Sequence, residues 1–138
     1  MTEMSSAMAP DTPSIATKPA IAVVDDDASV RKALMRLLQA SSYTVEIFGS
    51  AGEFVASLKQ RTPDCLIVDL QMPGMNGLEL RISLTRAGIG IPTIIITAHD
   101  IPGSRDRCST AGAAAYLLKP VQKKDLIAAI QAATKSTM

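Results

Sequence analysis

The stretch DCLIVDLQMPGMNGLEL, residues 64–80, decides the fold. Its apolar run Cys65-Leu66-Ile67-Val68 is short, continuous and β-branched, the composition of a parallel strand buried on both faces. The run stops on one acid, Asp69. In open α/β sheets, ligands bind in the crevice beyond the carboxyl ends of the strands, so Asp69 is expected where the chemistry is done. The strand cannot continue through Pro73 and Gly74, because proline lacks the amide donor and glycine favours a turn. Asn76 is then placed to cap a helix beginning Gly77-Leu78-Glu79-Leu80.

The same strand-then-helix pattern repeats on either side. Upstream, residues 20–24 (AIAVV) form a buried strand that ends on Asp25-Asp26-Asp27, and Val30, Leu34, Leu37 and Leu38 follow at helical spacing, with Asp27 as the cap. Residues 43–48 (YTVEIF) alternate as a strand, and Ser50 with Glu53 reads as a capping box for a helix carrying Phe54, Val55 and Leu58. Downstream, residues 93–97 (TIIIT) are the most apolar strand and end on Thr97. The segment 100–112 is the weakest helix, since Pro102 and Gly103 delay its start. A fifth strand over 113–118 ends on Lys119-Pro120, and an amphipathic helix around residues 125–130 closes the pattern. Five βα units predict an α/β, doubly wound, five-stranded parallel sheet with strand order 2-1-3-4-5 and helices on both faces. Residues 19–135 are the expected domain. Residues 1–18, with Pro10 and Pro13 and no sustained period, are expected to be a flexible tail, and 136–138 a short C-terminal one.

Composition narrows the function. The 138 residues are 47% hydrophobic but only 3% aromatic, which predicts an aliphatic core, and the net charge of +1 supplies no field for nucleic acid or anionic membrane. Cys65 and Cys108 have no metal-ligand spacing, which fits a reducing cytoplasm. No apolar run reaches the length of a membrane span, and no secretory leader is legible. No glycine-rich phosphate motif follows the first strand, so nucleotide binding has no motif behind it.

What collects at the carboxyl edge is a set of reactive groups: Asp25, Asp26, Asp69, Thr97 and Lys119. In the 2-1-3-4-5 order, strands one and three are neighbours at the switch point, so the acids converge. Two carboxylates about 4 Å apart repel by roughly 4 kcal/mol at an effective dielectric near 20. Compensation is therefore required. Oxygen-only ligands with room for water fit Mg2+ better than calcium, and Lys119 adds a fixed positive charge. Asp69 is the candidate nucleophile, with the cation and Lys119 offsetting the charge of an incoming phosphoryl group.

VVDDD, VDLQMPGMNGLEL, IIITA and YLLKP, in that order, resemble the receiver domain of two-component response regulators, over about residues 19–135. The resemblance implies that Asp69 accepts a phosphoryl group from a sensor histidine kinase or a phosphotransfer protein. It implies that Asp26, Asp69 and the main-chain carbonyl of Gln71 bind Mg2+ directly, that Asp25 does so through water, that Thr97 and Lys119 contact the phosphoryl oxygens, and that Lys119-Pro120 is cis. It also implies that Thr97 and Tyr116 form a switch in which Tyr116 rotates from exposed to buried, remodelling the face of the fourth helix, fifth strand and fifth helix. A phosphorylation-dependent homodimer through that face is expected, as in receivers that precede helix-turn-helix output domains. Gln71 and His99 match positions that flank water's approach to the acyl phosphate and tune its rate of loss. Kinase specificity is expected on the first helix around Val30, Arg31, Leu34 and Met35.

The resemblance implies no enzyme beyond self-catalysed phosphorylation and dephosphorylation. The alternative is a Mg2+-dependent, aspartate-nucleophile phosphohydrolase built on Asp25-x-Asp27, similar to the haloacid-dehalogenase family. Ala28-Ser29 stand where that family has Gly-Thr, and Asp69 would have no task. A third reading is a structural interaction module whose acids are helix caps.

Overall fold

The computed structural model describes residues 18–135. The tails expected at 1–18 and 136–138 lie outside these residues, apart from Lys18, whose ammonium sits over the Tyr43 ring at 5.0 Å. Strands and helices alternate: β1 Ala20–Val24, α1 Ala28–Ala40, β2 Thr44–Phe48, α2 Ala51–Ser57, β3 Cys65–Asp69, α3 Gly77–Arg86, β4 Thr93–Thr97, α4 Ser104–Thr110, β5 Ala115–Leu118 and α5 Lys123–Lys135. All pairings are parallel, and the order is β2-β1-β3-β4-β5.

The core lies on both faces of the sheet because successive strand residues point to opposite sides. Ala22, Val24, Leu66, Val68 and Ile95 meet Phe54 of α2, Leu80 and Leu84 of α3 and Cys108 of α4. Ile21, Val23, Ile67, Ile94 and Ile96 meet Leu34 and Leu38 of α1 and Leu126 and Ile130 of α5. Every residue of β3 and β4 is buried, which is why those strands read as unbroken apolar runs. Full burial of a Leu or Ile side chain contributes about 1.5–3 kcal/mol, so these two layers hold the sheet against chain entropy.

Local chemistry sets the helix starts. Asn76 and Glu79 form a reciprocal capping box on α3. At α2 the expected box is altered: Ser50 accepts from the Glu53 N–H, but the Glu53 carboxylate accepts from Gly49 N–H at 3.0 Å rather than from the cap's own amide. Tyr43 lies just before β2 rather than in it, and is buried. α4 is short, seven residues, with Gly103 at its start and no side-chain cap. Cys65 and Cys108 are fully buried, and burial pushes the Cys65 thiol up to about 12, so neither is placed for redox chemistry.

Candidate active site at the carboxyl edge

Register brings the acids together. Val24 pairs with Val68 and Asp69 with Ile96, so Asp25, Asp69 and Thr97 leave neighbouring strands at nearly one level. Asp25, Asp26 and Asp69 each offer an oxygen within 4.8 Å of the others. Asp25 is fully buried, Asp69 is 4% exposed, and Asp26 faces solvent. The glycine at the start of α3 makes the packing possible: a Cβ on Gly77 would lie 2.7 Å from the Asp69 carbonyl oxygen. Gly74, at φ +74°, turns the loop between them.

Asp25 is fixed from several directions. Its N–H donates to Phe48 O (3.1 Å), its Oδ1 accepts from Asp27 N–H (2.9 Å), and its carbonyl accepts from Arg31 Nη1 (2.6 Å). Asp27 has a different task. Its carboxylate caps α1, accepting from the N–H groups of Ser29 and Val30. Of the three consecutive acids, then, the last is a helix cap, which removes the second acid of the Asp-x-Asp phosphohydrolase reading. The interaction-module reading fails in the opposite way, since Asp25 caps nothing and clusters instead with Asp26 and Asp69.

Lys119 joins the two buried acids. Its Nζ lies 2.9 Å from Asp25 Oδ2 and 3.3 Å from Asp69 Oδ2. Burial pulls the Lys119 ammonium toward its neutral form, but Asp25, by hydrogen bond and charge, and then Asp69 outweigh that and raise its pKa. Burial and then the charge of Asp25 raise the Asp69 carboxyl above its ordinary value, with Lys119 and the Gln71 N–H pulling it back. The site is thus short of positive charge. Asp25 Oδ2 is buried and its partner is the Lys119 ammonium at 2.9 Å, so one fixed cation serves three clustered carboxylates. Three carboxylates, two of them buried, sharing one ammonium are a donor set that fits a hard divalent cation of the Mg2+ type.

Beside this ion cluster stand two uncharged side chains, Thr97 at the end of β4 and Tyr116 on β5. The Thr97 side chain is fully buried; its hydroxyl lies 2.5 Å from Gln71 Oε1 and 3.0 Å from His99 O, and accepts from His99 N–H at 3.0 Å. Gln71 Nε2 in turn donates to His99 O at 3.4 Å. It is the His99 backbone that engages its neighbours, so the structure brings its main chain to Thr97. Tyr116 is 8% exposed, on the buried side already, while Thr97 is still engaged with Gln71. Its hydroxyl donates to Asp100 Oδ1 (3.0 Å), and the Arg105 guanidinium covers the ring at 4.6 Å. Lys119-Pro120 is cis.

Sequence reasoning brought Asp25, Asp26, Asp69, Thr97 and Lys119 to one edge, and the structure does the same. It missed Arg31 as the support of the Asp25 carbonyl, the Gln71–Thr97 contact, and the Asp100–Arg105 enclosure of Tyr116. Arg31 carried a weak signal, being one helical turn beyond the Asp27 cap.

Comparison with known proteins agrees with this geometry. The sequence matches the response regulator receiver domain family over residues 21–131. Nodulation protein W of Bradyrhizobium diazoefficiens is 39% identical over 120 residues, covering 86% of this chain and 52% of that protein. The FixJ-N crystal structure superposes with a TM-score of 0.80 at 33% identity, covering 86% of this chain and 95% of that one. The low-resolution structure of the response regulator StyR gives a TM-score of 0.75 at 42% identity, covering 87% and 61%. The chain spans about half the length of the curated relatives it matches. By motif order, strand order and these matches, the chain belongs to the receiver domains of response regulators.

Proposed function

We propose that Asp69 is the phosphoacceptor of this receiver domain, taking a phosphoryl group from a phosphohistidine on a sensor histidine kinase or phosphotransfer protein. The observation that carries the reading is the buried Asp69 carboxylate, 3.3 Å from Lys119 Nζ and within 4.8 Å of oxygens of Asp25 and Asp26. One Asp69 oxygen attacks phosphorus as the P–N bond breaks. The bonding pair stays on the imidazole, which leaves neutral when its other nitrogen carries a proton. Lys119 stays charged and faces the added negative oxygens, and the Thr97 hydroxyl, one strand over, is available to donate to another. Asp26, Asp69 and the Gln71 carbonyl would hold Mg2+, with Asp25 acting through water. When bound, that ion supplies charge neutralisation for the three acids and the phosphoryl oxygens. Beyond this self-catalysed gain and loss of phosphoryl, no further enzymatic activity is proposed.

The donor's docking surface is supported by an apolar groove of about 380 Å³ lined by Val30, Ala33, Leu34, Leu37, Pro120 and Val121, with Lys119 on its rim. Leu34 forms its floor from the core, leaving Val30, Arg31 and Met35 as the more accessible α1 positions for discrimination. The phosphorylated form is proposed to pair through the α4-β5-α5 face, where Leu118 is 46% exposed. Among the described residues no helix is long and apolar enough to cross a membrane, and action in the cytoplasm is part of the proposal.

The test is intact-mass spectrometry after incubation with a small acyl phosphate and magnesium. One phosphoryl group on the wild type, absent without magnesium and absent in Asp69→Asn, is expected. A folded, magnesium-supplied wild type that gains no adduct would end the reading, and donor turnover without an adduct would revive the phosphohydrolase.

A further inference from the structure

We infer that Gln71 is a positioning residue that ties up the Thr97 hydroxyl in the unphosphorylated protein, so that loss of this contact helps set how readily the domain accepts phosphoryl. The inference rests on Asp69 being the phosphoacceptor and concerns what that acceptor must displace. A threonine hydroxyl has one proton to donate. In this structure two acceptors compete for it, Gln71 Oε1 and His99 O, while its lone pair is taken by His99 N–H. Thr97 is fully buried, so water does not substitute for a lost partner.

The contact joins residues 26 apart in sequence and links the β3–α3 loop to the β4–α4 loop. Gln71 is suited to couple them: its N–H donates to Asp69 Oδ1 at 3.3 Å, and its side-chain amide also donates to His99 O. A change at Asp69 therefore reaches Thr97 through one residue. For the Thr97 hydroxyl to donate to a phosphoryl oxygen, it must leave both present acceptors. The Tyr116 ring is no obstacle to this exchange, since it is already buried and held by Asp100 and Arg105.

The energetic scale follows from the exchange. A neutral hydrogen bond given up for a charge-assisted one weakens the second by its own net worth, which corresponds to about two- to tenfold in an equilibrium constant. Gln71→Met keeps length and removes the acceptor.

The experiment measures the affinity of beryllium fluoride, a stable mimic of an acyl phosphate, at saturating magnesium. It compares wild type, Gln71→Met, Thr97→Ala and the double variant, with folding checked by amide NMR spectra and Gln71→Ala as a second side-chain deletion. Gln71→Met is expected to bind about two- to tenfold more tightly than wild type, and the gain is expected to vanish in the Thr97→Ala background. In the unliganded Gln71→Met protein the Thr97 and His99 amide signals should shift toward their positions in the liganded wild type. Unchanged or weaker binding in folded Gln71→Met, or a gain that persists without the Thr97 hydroxyl, overturns the inference and leaves the phosphoacceptor reading intact. Failure of wild type itself to bind the mimic, or equal binding by Asp69→Asn, overturns both.

Discussion

The two halves of the carboxyl edge are built from different materials. The half over β1 and β3 is ionic: Asp25 and Asp69 are held by strand ends in register, by Arg31 and by the tight Gly77 turn, and Lys119 reaches across to both from the end of β5. The half over β4 and β5 is made of neutral or exchangeable hydrogen bonds, Thr97 with Gln71 and His99, and Tyr116 with Asp100. The helices beneath them differ in the same sense. α3 has ten residues and a reciprocal capping box; α4 has seven and starts at an uncapped glycine. Charge assembled in a rigid, preorganised pocket serves group transfer, because the field must not reorganise during the reaction. Hydrogen bonds of small net worth on a short helix would suit the expected switch, because its rearrangement must cost little.

The comparison breaks most visibly at Lys119. Lys119→Ala leaves Asp25 and Asp69 buried without their cation, and removing one partner of a buried pair costs about 3–5 kcal/mol. The expected result is a loss of about 3 kcal/mol in urea unfolding at neutral pH with chelator present, partly recovered by magnesium because a ligand of the folded state stabilises it. A loss below about 1 kcal/mol would mean the pocket is wetter than its burial indicates. Next in size is Gly77→Ala, where the new Cβ would meet the Asp69 carbonyl at 2.7 Å. Backbone must shift, at about 1–3 kcal/mol for forced overpacking. The same variant should slow phosphorylation, since the displaced group is the main chain of the proposed phosphoacceptor; unchanged stability and unchanged rate together would show that the turn relaxes freely.

How much of this was legible in the sequence divides along the same line. β3 and β4 are continuous apolar runs because both faces are buried, and each stops on the residue that enters the site, Asp69 or Thr97. Strand order then placed Asp25 beside Asp69, and the ionic half was readable before any coordinates. The Ser50 box was readable only in part, since cap spacing does not say which amide the Glu53 carboxylate will choose. Gln71 with Thr97 was unreadable as a contact: it joins two loops through one rotamer, and neither periodicity nor local propensity encodes it. Tyr116 was placed on the right strand, but whether its ring lies in or out is a choice made by Asp100 and Arg105.

Asp69→Asn tests the ionic half in the opposite direction. Burial and the charge of Asp25 raise the Asp69 pKa above its unfolded value, so the ionised carboxylate costs stability. The variant is expected to unfold at a higher temperature than wild type in chelator at neutral pH. The gain should be smaller than the losses above, because the attraction to Lys119 disappears with the charge. The sign fixes the pH window: the penalty is present above the folded-state pKa and fades as pH falls through it, so the advantage of the variant should shrink on acidification. An advantage that grows in acid would reverse the assignment.

The smallest effect is expected at Tyr116→Phe. The ring, its burial and its Arg105 cover remain, and what is lost is the hydroxyl's donation to Asp100 Oδ1 with its interaction with the Ser104 side chain. A single such bond contributes about 0.5–1.5 kcal/mol net, and Asp100 is exposed, so water replaces the lost donor and the low end applies. Unfolding free energies of Tyr116→Phe and wild type from denaturant titration should therefore differ by about 0.5 kcal/mol or less, well under the Lys119→Ala loss. Equal or larger destabilisation by Tyr116→Phe would mean that the neutral half carries as much structural energy as the ionic half. A switch assembled from bonds that strong would not rearrange for the gain of one phosphoryl contact, and the division of labour between the two halves would have to be abandoned.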